Sequence, residues 1–270
     1  ISGWIYSFFD YRIGYKLSTC EFVGLDNFRY VFGDPYILTV IGNTLIISLA
    51  GLLGLPLAGI IAILLSEVRG RTFKKTVQTA ITIPNFISWI IIYSIMFSLF
   101  SNDGLLTTVI RGITGETEAT TTLLTNPNTA KLFMILINIW KTVGYNSIIF
   151  FAAITGIDSQ LYDAAAVDGA GRWKKMLHIT IPGMLPTLIT LLIISIGAIL
   201  NNGFEQYYVF VNPMIQEKME VLDYYVYRIG MLNNDIPAST AVSMVKTFIS
   251  IGLVFGVNKL SKKTLGQSIL

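Results

Sequence analysis

Cysteine and histidine are all but missing: Cys20 and His178 stand alone in 270 residues. One cysteine closes no disulfide within the chain, and one residue of each kind assembles no zinc site of the Cys/His type. Charge is scarce as well. Asp, Glu, Lys and Arg make up 13% of the chain, about half the ~25% of an ordinary soluble domain. There is no Gly-x-x-x-x-Gly-Lys-Ser/Thr phosphate loop, so the chain is not expected to bind ATP itself. A nucleophile elbow, an HExxH motif and a haem-type histidine pair are missing too. These gaps leave no catalytic residue, cofactor site or metal site to nominate. The formal net charge of +3 says little about partners, and no nucleic-acid partner is expected.

What fills the chain is apolar: 53% of residues are hydrophobic, and the mean hydropathy is clearly positive. Runs of roughly 20 apolar residues recur, the length that crosses a hydrocarbon core of about 30 Å. The fold class expected is all-α, a polytopic membrane protein. The short apolar run Ile1 to Phe9 reads as the tail of a first transmembrane helix rather than as a signal peptide. Residues 10–37 read as a polar extracellular loop ending in an amphipathic stretch, Leu25 to Phe32. Five spans follow, near 38–65, 79–100, 131–155, 183–202 and 239–259, making six with the truncated first.

Orientation follows from where Lys and Arg collect. Loop 66–78 holds Arg69, Arg71, Lys74 and Lys75 against Glu67; segment 156–182 holds Arg172, Lys174 and Lys175; the end of the chain holds Lys259, Lys262 and Lys263. With six spans these lie on one side, the cytoplasm, which takes both termini and a tail over 261–270. The intervening loops are acidic, with Asp103, Glu116 and Glu118 in one and Glu205, Glu217, Glu220, Asp223 and Asp235 in the other. Ala50, Gly54, Ala58 and Ala62 recur every four residues in the second span, and Gly252 and Gly256 do so in the last. Small residues in that register let helix backbones approach in lipid. Pro56 and Pro84 are positioned to kink their helices, with the freed carbonyls satisfied by neighbours.

One polar island, Asp158 to Pro182, interrupts the apolar runs. Asp158 reads as the N-cap of a short helix to Val167, Gly169 and Gly171 permit a sharp turn, and a short basic helix leads into Pro182. Its carboxylates, Asp158, Asp163 and Asp168, sit beside Arg and Lys in water, where a solvated charge is expected rather than acid–base work. The spacing Asp163-Ala164-Ala165, then Gly169, then Ile179-x-Ile181-Pro182 resembles the EAA loop of ABC importer permeases. That family's pattern is Glu-Ala-Ala, a Gly four residues on, and Ile-x-Leu-Pro ten residues beyond the Gly. Asp163 in place of Glu and Ile181 in place of Leu are the two departures.

The resemblance spans about residues 24–260 and implies a type I ABC importer permease fold, with residues 38–260 as the transmembrane domain. It implies that the loop is a coupling helix seated in a groove of a separate ATPase, which would bind ATP and Mg. Asp163, Ala164, Ala165, Gly169, Ile179 and Pro182 occupy the motif positions; Asp168, Arg172 and Trp173 join them by position. The partners implied are a second permease chain, related and non-identical, two ABC ATPase subunits and an extracellular solute-binding protein, in a bacterial cell membrane. The run Trp140-Lys141-x-x-Gly144-Tyr145-Asn146-Ser147, residues 202–206 and Asn212-Pro213 look most like the carbohydrate subfamily, particularly oligosaccharide permeases.

The membrane path is expected in two places. Asn138, Trp140, Lys141, Tyr145 and Asn146 combine stacking surfaces with hydrogen-bonding groups, as sugar recognition needs. Lys141 lies about ten residues into its span, or roughly 15 Å, where a charge needs a watery path, a partner or a route to the surface. Asn201, Glu205 and Gln206 close the fifth span, and Glu205 is a candidate partner for Lys141. An amino-acid or metal permease of the same class differs only along this path. An ion-coupled secondary transporter would need acidic residues near the middle of a span, and none is read there.

Overall fold

A computed structural model describes residues 2–114 and 123–265, so Ile1, the Glu116 and Glu118 pair and the end of the tail at 266–270 lie outside the described residues. The described residues are predominantly helical, with no strand among them beyond an isolated bridge between Phe9 and Phe22. A 3₁₀ helix, Ser2–Phe8, occupies the N-terminal apolar run. In order there follow α1 (Asp26–Gly33), α2 (Pro35–Gly51), α3 (Gly54–Glu67), α4 (Arg71–Phe86), α5 (Trp89–Phe100), α6 (Leu105–Thr114) and α7 (Ala130–Thr155). Next come α8 (Ser159–Val167), α9 (Arg172–Lys175), α10 (Ile181–Gly197), α11 (Phe204–Phe210), α12 (Gln216–Met219), α13 (Leu222–Tyr227) and α14 (Ile236–Leu265). Among the described residues five stretches are long and apolar enough to cross a membrane: Pro35–Glu67, Trp89–Ile113, Ala130–Thr155, Arg172–Gly197 and Ile236–Lys263.

The chain divides into two compact units. One unit comprises Ile1–Leu49, Ser88–Met134 and Gly197–Leu253. Its core joins Val31 of α1, Ile37 and Val40 of α2, Leu222 and Tyr225 of α13, and Ala238 and Val242 of α14. Phe210 of α11 receives the Trp89 and Tyr93 rings edge-on.

The other unit comprises Ala50–Ile87, Ile135–Ile196 and Val254–Leu270. Here the four-residue register of small side chains does what lipid-embedded packing requires. Ala58 and Ala62 are fully buried beside Phe150 and Ile154 of α7 and Met184 of α10, and Gly54 faces Ile139. The second register fails within this chain: Gly252 and Gly256 are exposed, with no described atom within 4 Å of where a Cβ would sit. Pro56 falls in the first turn of α3, where its missing N–H costs nothing.

The span expected at 79–100 is two helices, and the expected basic loop is largely the start of the first. Arg71, Lys74 and Lys75 lie in the opening turns of α4, with the Lys74 ammonium 4.2 Å from the centre of the Phe151 ring. Pro84 sits inside the last turn of α4, the helix stops at Phe86, and Ile87 turns into extended backbone. Ser88 then caps α5, its hydroxyl accepting from the Ile91 amide at 3.4 Å. Sequence hydropathy steps up at this point, from the mixed α4 to the apolar α5, and Pro84 marks it as well.

Candidate functional site

The island is built as two short helices on a tight turn. The Asp158 carboxylate accepts the Gln160 amide at 2.9 Å and so starts α8. At the other end Gly169 adopts φ +74°, its amide reaches Ala166 O, and the Ala170 amide reaches Ala165 O at 2.8 Å. That pair of bonds is a Schellman closure, which requires a left-handed residue and explains the glycine. The chain returns through α9, passes a π turn at Met176–Thr180, and continues into α10 without a break. Pro182 lies in the first turn of α10, and the wider turn just before it accommodates a residue with no N–H to give.

Two contacts, one from α8 and one from the connector just before it, fasten this segment to the chain that follows. The Tyr162 hydroxyl lies 3.0 Å from Thr180 Oγ1, and Gly183 leaves room for Ile157, whose side chain a Cβ there would strike. Outward, the island is bare: Val167 is 90% and Trp173 73% exposed, and Asp163, Ala164, Asp168, Gly169, Arg172 and Pro182 are exposed with them. Ala165 and Ile179 are half-buried. An apolar knob ringed by charge, held rigidly from behind, suits contact with another protein.

The path candidates fall into the two units. In one, Lys141 is only 8% exposed, and its ammonium donates to the carbonyls of Pro84 (3.1 Å), Asn85 (3.1 Å) and Ile87 (2.5 Å). Those carbonyls lie at the end of α4, where a cation is favoured; the Pro84 carbonyl also accepts the Ile87 amide at 3.3 Å. Trp140 and Tyr145 are exposed, while Asn138 and Asn146 are half-buried. In the other unit Gln206 is buried and donates to Met134 O at 3.0 Å, whereas Asn201 and Glu205 are exposed. The Lys141 charge is thus met by backbone carbonyls and does not snorkel.

A family model described as binding-protein-dependent transport system inner membrane component matches residues 54–262. The chain belongs to that family. Protein LplB of Bacillus subtilis (strain 168) is 38% identical over 263 residues, 97% of this chain and 82% of that protein. The polygalacturonan/rhamnogalacturonan transport system permease protein YteP of the same organism is 39% identical over 263 residues, 97% of this chain and 81% of that one. A crystal structure of a bacterial alginate ABC transporter, in complex with an alginate pentasaccharide-bound periplasmic protein, superposes with a TM-score of 0.85 at 31% identity. It covers 91% of this chain and 85% of that one. As an inner membrane component of this kind, with five described spans, the chain is a multi-pass membrane protein of the type I ABC importer permease fold.

In this transport component sequence reasoning missed two ionic groups, one on a buried carboxylate and one half-buried. Glu220, with no exposed surface, takes a bidentate fork from Arg228 (Nε–Oε1 2.6 Å, Nη2–Oε2 3.2 Å), a hydroxyl from Tyr36 (2.5 Å) and an amide from Gln216 (3.3 Å). Burial pulls the Arg228 pKa down, but the Glu220 contacts outweigh it and leave it raised; burial likewise pushes Tyr225 up. Tyr36, Gln216 and Arg228 of this group line a cavity of about 800 Å³ together with Tyr30, Glu217, Tyr225 and Asp235 among others. Lys246 of α14 pairs with Asp223, whose other oxygen accepts the amides of Asn202 (2.9 Å) and Gly203 (3.2 Å). Charges in a segment read as a loop pass for solvated ones, which hid Glu220 and Arg228. Lys246, about ten residues inside its span, carried the same signal as Lys141 and went unread.

Proposed function

We propose that this chain is the membrane-spanning permease subunit of an ATP-driven importer that carries an oligosaccharide into the cell. The observation that supports coupling is the bare, fastened helix Ser159–Val167. A helix that exposes Val167 and Asp163 while its base is locked to α10 can pass a push from a partner into the membrane bundle. That partner is a separate ABC ATPase, which binds ATP and Mg and is gripped through Asp163, Ala164, Ala165, Asp168, Gly169, Arg172, Trp173, Ile179 and Pro182. A second, related permease chain completes the membrane path, and an extracellular solute-binding protein delivers cargo. The carbohydrate reading draws support from relatives named for polygalacturonan/rhamnogalacturonan transport and from a structural neighbour named for alginate. The collection of Lys and Arg in segments 66–78, 156–182 and the end of the chain supports cytoplasmic termini, with 158–182 on the ATPase side.

Purification of the chain from its native membrane, with identification of what accompanies it, tests this. The expected companions are a P-loop ATPase, a second permease and a solute receptor. ATP hydrolysis by the complex should rise with receptor plus an oligouronide or a neutral oligosaccharide. A rise with glycerol phosphate or an amino acid alone moves the cargo to another class, and the absence of any ATPase removes the reading.

A further inference from the structure

The break between α4 and α5 is stabilised by a side chain from another helix. A helix that ends at Phe86 leaves its last carbonyls short of partners, a costly state in a membrane. Lys141 supplies one ammonium to three carbonyls at this break, those of Pro84, which also accepts the Ile87 amide, Asn85 and Ile87. One turn further along α7, Gly144 lies so close to α4 that a Cβ would overlap the Ile81 carbonyl. The same face continues through Ser147, Phe150 and Ile154, all buried, at spacings of three and four residues. It ends at Thr155, 14 residues past Lys141 and about 21 Å away along the axis. There Ile157, packed on Gly183, leads straight into α8.

We propose that Lys141 is a positioning residue: it ties the end of α4 to α7, so that displacement of α8 travels up α7 and moves the break at Ile87–Ser88. The proposal rests on the coupling role assigned above to α8. It gives Lys141 a task other than contact with cargo. The ammonium matches the negative end of α4 and turns with α7, whereas an apolar side chain of similar length would give up all three bonds across the two helices and let α4 slip.

The test uses the assembled transporter with its ATPases, in liposomes, carrying Cys20→Ser and Ser88→Cys so that one thiol reports on the break. Reactivity toward a water-soluble maleimide is compared between the nucleotide-free and the vanadate-trapped complex. With Lys141 present the two rates should differ at least about fivefold, the low end of ordinary coupling between sites. Lys141→Met should bring the ratio to one while ATP hydrolysis continues, and Lys141→Arg should keep most of the difference. A ratio of one with Lys141 in place, or an undiminished ratio in Lys141→Met, overturns the proposal. So does a Lys141→Met chain that never assembles while Lys141→Arg behaves as the parent, since the clamp would then serve folding alone. A complex with no ATPase sinks the coupling reading, whereas an active ATPase with an unresponsive thiol sinks only this one.

Discussion

Lys141, buried in one compact unit, and Arg228, half-buried in the other, are cations neutralised in different ways. Arg228 meets a full carboxylate, Glu220, in a stretch where short helices start and stop. Lys141 meets the carbonyls of a helix end, inside an apolar span. A helix terminus offers roughly half a charge, enough for a lysine that must not drag a second ion into the membrane. The comparison teaches that a cation takes the negative group that packing brings to it: a carboxylate for Arg228 and for Lys246 of α14, a helix end for Lys141.

The largest expected effect strikes the Arg228 side. Arg228→Met leaves Glu220 fully buried without its counter-ion, and a broken buried pair costs about 3–5 kcal/mol. Thermal unfolding of the purified complex measures it. Glu220→Met together with Arg228→Met should recover much of the loss, because two apolar side chains need no desolvation compensation. A double variant as unstable as the single one would show that Tyr36, Gln216 and the Arg228 contacts with the Tyr36 and Tyr225 rings hold more than the ion pair does.

A smaller loss is expected at Lys246, which stands between the two extremes. Its partner Asp223 keeps the Asn202 and Gly203 amides when the ammonium is removed. Lys246→Met should therefore cost about 1–3 kcal/mol, the range for a buried polar group that loses one of several partners. A loss equal to that of Arg228→Met would mean that the amides contribute little and that Asp223 depends on the cation alone.

These positions also mark how far the sequence could be read. The spans at 131–155 and 183–202 and the island were legible because each carries a local pattern: an apolar length, a cap, a left-handed glycine. The break at Ile87 was half-legible: Pro84 announced a kink, but not that α4 would end and Ser88 restart the chain as α5. Lys141 was singled out by its depth, yet its acceptors come from residues more than 50 positions earlier, and no local pattern encodes such a pairing. Glu220, Arg228 and Tyr36 met the same limit, since the 184-residue separation between Tyr36 and Glu220 is closed only by packing.

The smallest predicted effect lies on the island, where the comparison inverts: charge is plentiful, exposed and worth little except at one atom pair. Asp158 is a surface residue whose carboxylate bonds the Gln160 amide. Asp158→Ala should cost about 1 kcal/mol, the usual value of an N-cap. Because α8 is a local element fastened at Thr180 and Gly183, the cost should fall on its first turn and leave the unfolding temperature of the complex unmoved. Hydrogen exchange reads it directly, with amides 160–162 exchanging about fivefold faster, the factor that corresponds to 1 kcal/mol. Asp158→Ser, which keeps an acceptor oxygen, should restore the parent rates. Equal acceleration along the whole of α8 would mean that the helix opens as a unit. In that case the Tyr162–Thr180 contact does not hold its far end, and the rigidity assigned to the coupling helix would have to come from the ATPase seated on it.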